Sequence, residues 1–301
     1  MRIAIILNGI SLEKDSFYKK ILPGLSATFT VEVFETIAAN DALSLASKAV
    51  EKRFDVILAA GGDGTLHQVL NGILRDREDH KDLPILGAIP VGTGNDFARA
   101  LKIQKDVDQL IALLQNLKPK EIDIGKVHYT STIKETEERY FINVADIGMG
   151  PEVVKKVMAS DRAFGASLSY YFAIISTFSQ YKVMTVHAIA DDWKWSGKLR
   201  TLAIANGNYY GHGMNIAPDA LPNDKIFDVF IAGNVSALFF MLKSHLLKQG
   251  KKVIHPEVLY RKTTTIELSS ESPCTIEADG EILGLLPARI EMMKQTIKFL
   301  C

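Results

Sequence analysis

The common signatures of nucleotide and metal sites are missing from these 301 residues. No G-x-x-x-x-G-K-[ST] occurs, which excludes a P-loop, and no G-x-G-x-x-G, which excludes a dinucleotide fingerprint or a protein-kinase glycine loop. Neither H-E-x-x-H nor C-x-x-C is present, so zinc has no sequence framework. Two cysteines, Cys274 and Cys301, cannot build a disulfide scaffold, and a reducing compartment is expected. Charge of either sign is not in excess: Lys+Arg 35 balance Asp+Glu 35. No global attraction to nucleic acid or to an anionic membrane follows, and nucleic acid is not an expected partner. The longest greasy stretch, near Ala166 to Phe178, is broken by Ser and Tyr and falls short of a membrane span. Arg2 to Leu7 is too short and wrongly flanked for a signal peptide. These absences describe a cytoplasmic protein with one large or two medium domains.

The most specific stretch is Asp55 to Leu74, DVILAAGGDGTLHQVLNGIL. Val56 to Ala60 has the length and bulk of a strand buried on both faces. Gly61, Gly62, Asp63, Gly64 and Thr65 follow. Then Leu66, Val69, Leu70, Ile73 and Leu74 repeat at i, i+3, i+4, i+7 and i+8, giving one apolar helix face. Thr65 and Gln68 stand at capping-box spacing and put the helix start at the end of the glycine loop. A strand, a glycine turn and a helix N-terminus aim N–H groups and a positive dipole end at one point, the outline of a phosphate site. A tight βα turn that binds nothing uses the same glycines. Asp63 discriminates: a carboxylate there repels bare polyphosphate unless a divalent cation or a sugar hydroxyl intervenes, so the loop predicts a metal–nucleotide.

Residues 1–124 alternate strand and helix. RIAIIL and FTVEVFE read as strands, Lys14 to Ala27, Ala42 to Phe54 and Val107 to Leu117 as helices. PILGAIPVG is a further buried strand, running into Gly92, Thr93, Gly94, Asn95 and Asp96 and then a short helix. Repeated βα units with short loops imply a parallel sheet covered on both faces. From about Ile122 the texture changes to short strands: IDIGKVHYT, RYFINVADIG, VMTVHAIA, LRTLAIANG, FDVFIA, TTTIELS and CTIEADGEIL. Only two helices, Ala163 to Tyr181 and Ser236 to Lys248, are expected among them. The fold class is therefore α/β with two domains: an open parallel-sheet α/β domain over 1–124, then an antiparallel β-sandwich over 125–289. Residues 290–301 can return to the first domain. No internal repeat or low-complexity linker is present.

GGDGTLHQV and PVGTGNDFARAL lie about 30 residues apart, which suits adjacent βα turns of one open sheet. Taken locally, Asn95 is an N-cap, Asp96 an acid in a helix's first turn, and Asp279-Gly280 a hairpin turn. Asp224 is then a loop acid beside Asn223. In sequence order, however, GGDGT, PVGTGNDFAR, Asn206-Gly-Asn, IAPDALPND and ADGEILGLLP resemble the bacterial diacylglycerol kinase-like lipid kinases, relatives of sphingosine and ceramide kinases. The resemblance spans nearly the whole chain. It implies a nucleotide-binding α/β domain, a β-sandwich, and catalysis between them with ATP and magnesium.

Position by position, the resemblance implies ATP contacts at Gly61, Gly62, Asp63, Gly64, Thr65, Leu66, His67 and Gln68, at Thr36, and at Thr93, Asn95 and Asp96. Asn8 stands where the family begins an Asn-Pro-x-Ser-Gly loop, although here the chain reads NGISLEK through Gly9 and Ser11. Asp279 and Glu281 stand at the acidic catalytic positions, and which of them is the base stays open. Leu221, Asp224 and Ile226 stand at a magnesium site of one carboxylate and main-chain carbonyls, with Lys225 in place of the family's Gly. Asp123 matches an acid of the water-and-metal network.

The implied activity is ATP-dependent phosphorylation of a lipid hydroxyl, with diacylglycerol first among acceptors. A NAD kinase-like enzyme shares GGDGT but pairs it with Asn-Glu, which this chain lacks. A non-catalytic nucleotide- or lipid-binding regulator is the remaining alternative, and a homodimer is left open. Between Lys243 and Lys262, six basic residues face one acid, Glu257, after the apolar stretch Leu238 to Leu242. That segment predicts peripheral contact with an anionic membrane surface, on the inner face.

Overall fold

The computed structural model describes residues 1–77, 82–131, 133, 135–159 and 166–301, with the side chains of 166–170 left aside. It divides into two compact units: Met1–Asp123 with Gln295–Cys301, and Ile124–Lys294.

In the first unit, β1 (Arg2–Leu7), β2 (Thr30–Glu35), β3 (Val56–Gly61) and β4 (Ile85–Pro90) form a parallel sheet in the order β4-β3-β1-β2. The strands are apolar on both faces because helices cover both. Ile3, Ile5, Leu7, Val56, Leu58 and Ala60 pack with Phe17, Ile21, Leu25 and Leu114 into one core. The helices between the strands are α1 (Lys14–Ser16), α2 (Leu22–Thr28), α3 (Asp41–Glu51), α4 (Asp63–Leu74), α5 (Asp96–Ala100) and α6 (Val107–Asn116). The single helix expected over Lys14 to Ala27 is divided by a π turn, Phe17–Ile21. Pro23 has no N–H to give, and the register widens just before it, where the Leu22 N–H donates to Phe17 O. The last residues also belong here: Phe299 pairs with Leu86 of β4, and the Phe299 ring meets Phe97 of α5 edge-on, centroids 5.5 Å apart.

The second unit carries most of β5 (Lys120–Thr130), β6 (Thr136–Phe141), β7 (Val144–Gly148), β8 (Met184–Ala190), β9 (Lys194–Leu199), β10 (Thr201–Ala205), β11 (Tyr209–Tyr210), β12 (Met214–Asn215), β13 (Phe227–Ala232), β14 (Val258–Thr263), β15 (Thr265–Ser270), β16 (Thr275–Ala278) and most of β17 (Glu281–Phe299). Antiparallel pairing runs β14-β13-β10-β7-β16-β17, and β17 continues through β15 to β8 and β9. The inner face of β7, β10 and β13 (Ala145, Ile147, Leu202, Ile204, Val229 and Ile231) fills the sandwich core. The outer face (Val144, Ala203, Ala205, Phe230 and Ala232) lies in a second core with α7 (Met149–Met158), α8 (Ala166–Gln180) and α9 (Ala237–Lys248).

Several details differ from the expectation. Helix α7 was not foreseen, since Gly148-Met-Gly-Pro reads as a loop. Pro151 is tolerated because it stands in the first turn, where N–H groups have no intrahelical partner. RYFINVADIG is two strands, broken at Ile142–Asn143. Strands β9 and β14 were also not anticipated, and the expected start of α8 at Ala163 lies outside the described residues. Phe299 is fully buried and bridges β4 to α5. Phe299→Ala should therefore cost about 3–5 kcal/mol, read as a lower urea midpoint. A midpoint within error of wild type would contradict this packing.

Candidate active site

The carboxyl ends of β1, β2, β3 and β4 gather the residues read as nucleotide contacts. Asn8 N donates to Ala60 O at 2.9 Å and Thr36 N to Leu7 O at 2.9 Å. Gly9 N donates to Thr36 Oγ1 at 3.0 Å, and Ser11 Oγ to Val91 O at 2.6 Å. The NGIS turn thus keeps its place without the family's proline, tied to the loops beside it.

The two glycine loops interlock. Gly62 and Gly92 touch backbone to backbone, and a methyl group on Gly92 would collide with Gly62. Helix α4 begins at Asp63, with Gly62, three residues before the expected N-cap Thr65, as an extended N-cap that receives the Leu66 N–H at 3.1 Å. Thr65 is therefore inside the first turn, and the capping box is not formed; it is Gly92, whose Cβ would strike the Gly62 Cα, that must lack a side chain for the loops to meet. Asp63 caps the neighbouring helix instead. Its Oδ2 accepts from Asp96 N and its Oδ1 from Phe97 N, both at 3.0 Å. Such charge-assisted bonds are about twice as strong as neutral ones. Both carboxylate oxygens of Asp63 thus tie the two loops together.

Asn95 occupies a left-handed conformation, φ +55°, and its Nδ2 donates to Gly92 O at 2.8 Å, so its side chain braces the loop rather than capping α5. Asn95 Oδ1 is buried without a hydrogen-bond partner. Gly64 and Thr65 have N–H groups that the helix itself cannot use. A Cβ on Gly62 would stand 4.0 Å from Thr93 N, inside the cradle. A glycine-walled hollow with surplus N–H donors fits a polyphosphate. Leu66 and His67 are buried in the first turns of α4.

In the second unit, Asp279 and Gly280 make the two-residue turn between β16 and β17, both with positive φ (+52° and +87°), as a type I′ hairpin needs. The turn signal holds, but Asp279 does more. Its carboxylate accepts from Ile142 N, Asn143 N and Val144 N at 3.1, 2.9 and 3.1 Å. These bonds hold the break between β6 and β7. Glu281, the first residue of β17, is half-buried and stands just beyond the turn.

The sequence reading passed over the acids beside them. Asp146 of β7 and Glu277 of β16 face each other in antiparallel register, and both are fully buried. Thr201 Oγ1 donates to Asp146 Oδ2 at 3.1 Å, and Gly280 N to Glu277 Oε2 at 2.8 Å. A side chain on Gly150 would strike Asp146 and the Tyr210 hydroxyl. Burial pushes Asp146 up to about 7. Burial, and then the nearby Asp146, drive Glu277 well above the carboxylate range. Two like charges cannot both ionise here, so the pair retains a proton at neutral pH. The available signal was an acid inside each of two otherwise apolar strands, VADIG and TIEA.

Asp224 Oδ1 accepts from Ile226 N at 3.3 Å, and Lys262 Nζ lies 4.0 Å from its Oδ2. Lys225 is left-handed, φ +63°, and its ammonium donates to Met293 O and Lys294 O. The competing cation at Asp224 is thus Lys262, which already bonds Asp228 at 2.7 Å. Asp224 thus presents one carboxylate whose nearest cation is Lys262.

Residues 2–127 match the family "Diacylglycerol kinase catalytic domain", and residues 144–301 the "YegS C-terminal NAD kinase beta sandwich-like domain". A protein named diacylglycerol kinase from Staphylococcus saprophyticus is 30% identical, over 99% of this chain and 94% of its own. One named "Probable lipid kinase YegS-like" from Stenotrophomonas maltophilia is 29% identical, over 98% and 94%. A crystal structure titled as a diacylglycerol kinase from Bacillus anthracis shares the fold, with TM-score 0.72, 21% identity and coverage of 99% and 96%. The matched catalytic domain and the named relatives make the chain a phosphotransferase. The chain belongs to the family of diacylglycerol kinase-like lipid kinases, which phosphorylate a lipid hydroxyl.

The buried acid pair has a consequence for stability. Folded, Asp146 keeps its proton to about pH 7, whereas an unfolded Asp loses it near pH ~4. The folded state therefore binds more protons between these limits, and stability falls as pH rises through that window. Asp146→Asn should flatten the fall when urea midpoints are compared at pH 5 and pH 8. An equally steep loss in the variant would show that the pair does not share a proton.

Proposed function

We propose that the protein transfers the γ-phosphoryl group of ATP to the hydroxyl of diacylglycerol at an anionic membrane surface, working from the cytoplasmic side. The observation that carries this reading is the interlocked Gly62–Gly92 cradle at the N-terminus of α4. The names of the relatives put diacylglycerol first among acceptors. An apolar, partly open cavity of about 90 Å³ in the second unit, walled by Met149, Val153, Ile174, Phe178, Phe240 and Leu247, offers an entry for a lipid chain.

Bound ATP with magnesium supplies the phosphoryl group and most of the charge neutralisation. Phosphoryl transfer leaves the protein little covalent work, so its groups position and polarise. The N–H groups of Gly64 and Thr65 receive phosphate oxygens at the dipole's positive end. Asn8, Thr36, Gly61, Gln68 and Thr93 line the nucleotide, while Asp63 keeps Asp96 and the second loop in place. Leu221, Asp224 and Ile226 would hold a magnesium ion.

Between the two acids of the turn, Glu281 is assigned as the base. The Asp279 carboxylate is committed to three backbone N–H groups, which leaves it a positioning residue. Glu281 orients the acceptor hydroxyl and takes its proton. Glu281→Gln should lower turnover by roughly two to four orders of magnitude with fold and ATP affinity intact. Asp279→Asn should also lower the urea midpoint, because one amide end cannot accept the N–H bonds. Wild-type turnover in Glu281→Gln would end the assignment. The cradle is tested separately: Gly62→Val fills the hollow, and calorimetry should register a loss of ATP binding of tenfold or more, roughly what one lost charge-assisted bond costs. Unchanged affinity in the folded variant would refute the nucleotide site.

A further inference from the structure

Helix α9, ALFFMLKSHLLK, is apolar on both sides. Phe239, Phe240, Lys243, Ser244 and Leu247 line the cavity of the second unit. Leu238, Met241 and Leu242 stand on the other side at i, i+3 and i+4, and they are 62%, 43% and 62% exposed. A helix at a protein surface normally turns charge outward. Here the outward stripe is as apolar as the inward one, which marks an interaction surface. Helix α8 extends it: Phe172 is 64% exposed, and Lys248 at the end of α9 lies over the Tyr171 ring, 5.9 Å from its centroid. The rings of Phe178 and Phe240 stack at 4.8 Å and hold the two helices together.

Charge selects the occupant. No Asp or Glu occurs from Ala237 to Val253, while Lys243, Lys248, Lys251 and Lys252 do. The basic segment is narrower than the sequence suggested, since Lys252 pairs with Asp219 and Lys262 with Asp228. Lys243, Lys248 and Lys251 remain exposed beside the stripe. An apolar stripe with Lys243, Lys248 and Lys251 beside it complements a surface with anionic heads above hydrocarbon. A second copy of the chain would bring the same cations against themselves.

We propose that Leu238, Met241 and Leu242 of α9, with Phe172 of α8, bed into an anionic bilayer, so that α9 stands between the bilayer and the cavity. This rests on the lipid-kinase reading and adds the face through which the lipid is delivered. A long-chain lipid then needs to cross only the thickness of one helix to leave the membrane.

The test uses the full-length protein and vesicles of phosphatidylcholine with phosphatidylglycerol, without ATP, so that failure of the kinase assignment leaves it readable. Leu238→Glu/Leu242→Glu changes two exposed positions and should keep the thermal midpoint while lowering vesicle partitioning about tenfold or more, as expected when two leucines are withdrawn from hydrocarbon. Turnover of a water-soluble short-chain diacylglycerol should be unaffected. Leu242→Trp gives an independent reading: the emission of the introduced indole should move to the blue when vesicles are added. Raising salt should weaken partitioning without abolishing it, because screening acts on the lysines alone. Wild-type partitioning by the double variant, or an emission in Leu242→Trp that vesicles do not shift, overturns the proposal. So does a wild-type dimer that the double substitution splits while vesicle binding persists.

Discussion

The site depends on one carboxylate bridging two loops. Asp63 leads helix α4, yet both its oxygens are given to the amides that open α5. The two loops can touch because Gly92 has no side chain to strike Gly62, and Asp63 holds them in contact. The strands place the two loops side by side, but a parallel sheet alone leaves their tips free to splay. The ionic tie converts neighbouring turns into a single rigid rim, a preorganisation that a reaction dependent on positioning requires.

The second unit solves a similar problem with a similar device. Asp279 takes a left-handed turn position and closes three amides of the break between β6 and β7. Glu277, behind it, anchors Gly280. Two neighbouring acids are thus used for shape, and Glu281 stands at the edge. Burying Asp146 opposite Glu277 costs stability at neutral pH, and the shared proton makes that burial tolerable.

Much of this was legible because it is periodic or punctuated. The βα alternation, both glycine loops and the Asp279-Gly280 turn follow from local rules, and the order of the motifs pointed to the family. What stayed hidden was long-range. That Asp63 holds the amides of Asp96 and Phe97 shows only once the second loop is placed beside the first. Asp146 looks like a break in an apolar strand until Glu277 is placed across from it. Helix α7 escaped because a Gly-Met-Gly-Pro start imitates a loop. The double-sided character of α9 was visible as an apolar run, but only the fold separates the residues that face the cavity from those that face outward.

The return of the C-terminus has a consequence for synthesis. Phe299 supports Phe97, the residue whose amide Asp63 holds, and Leu300 joins the first core. A ribosome making the chain at roughly 5–20 residues per second releases the second unit before these two residues emerge. For that interval the rim has its loops but not its buttress. A chain cut before Phe299 therefore keeps the Asp63 tie but loses the aromatic support beneath α5.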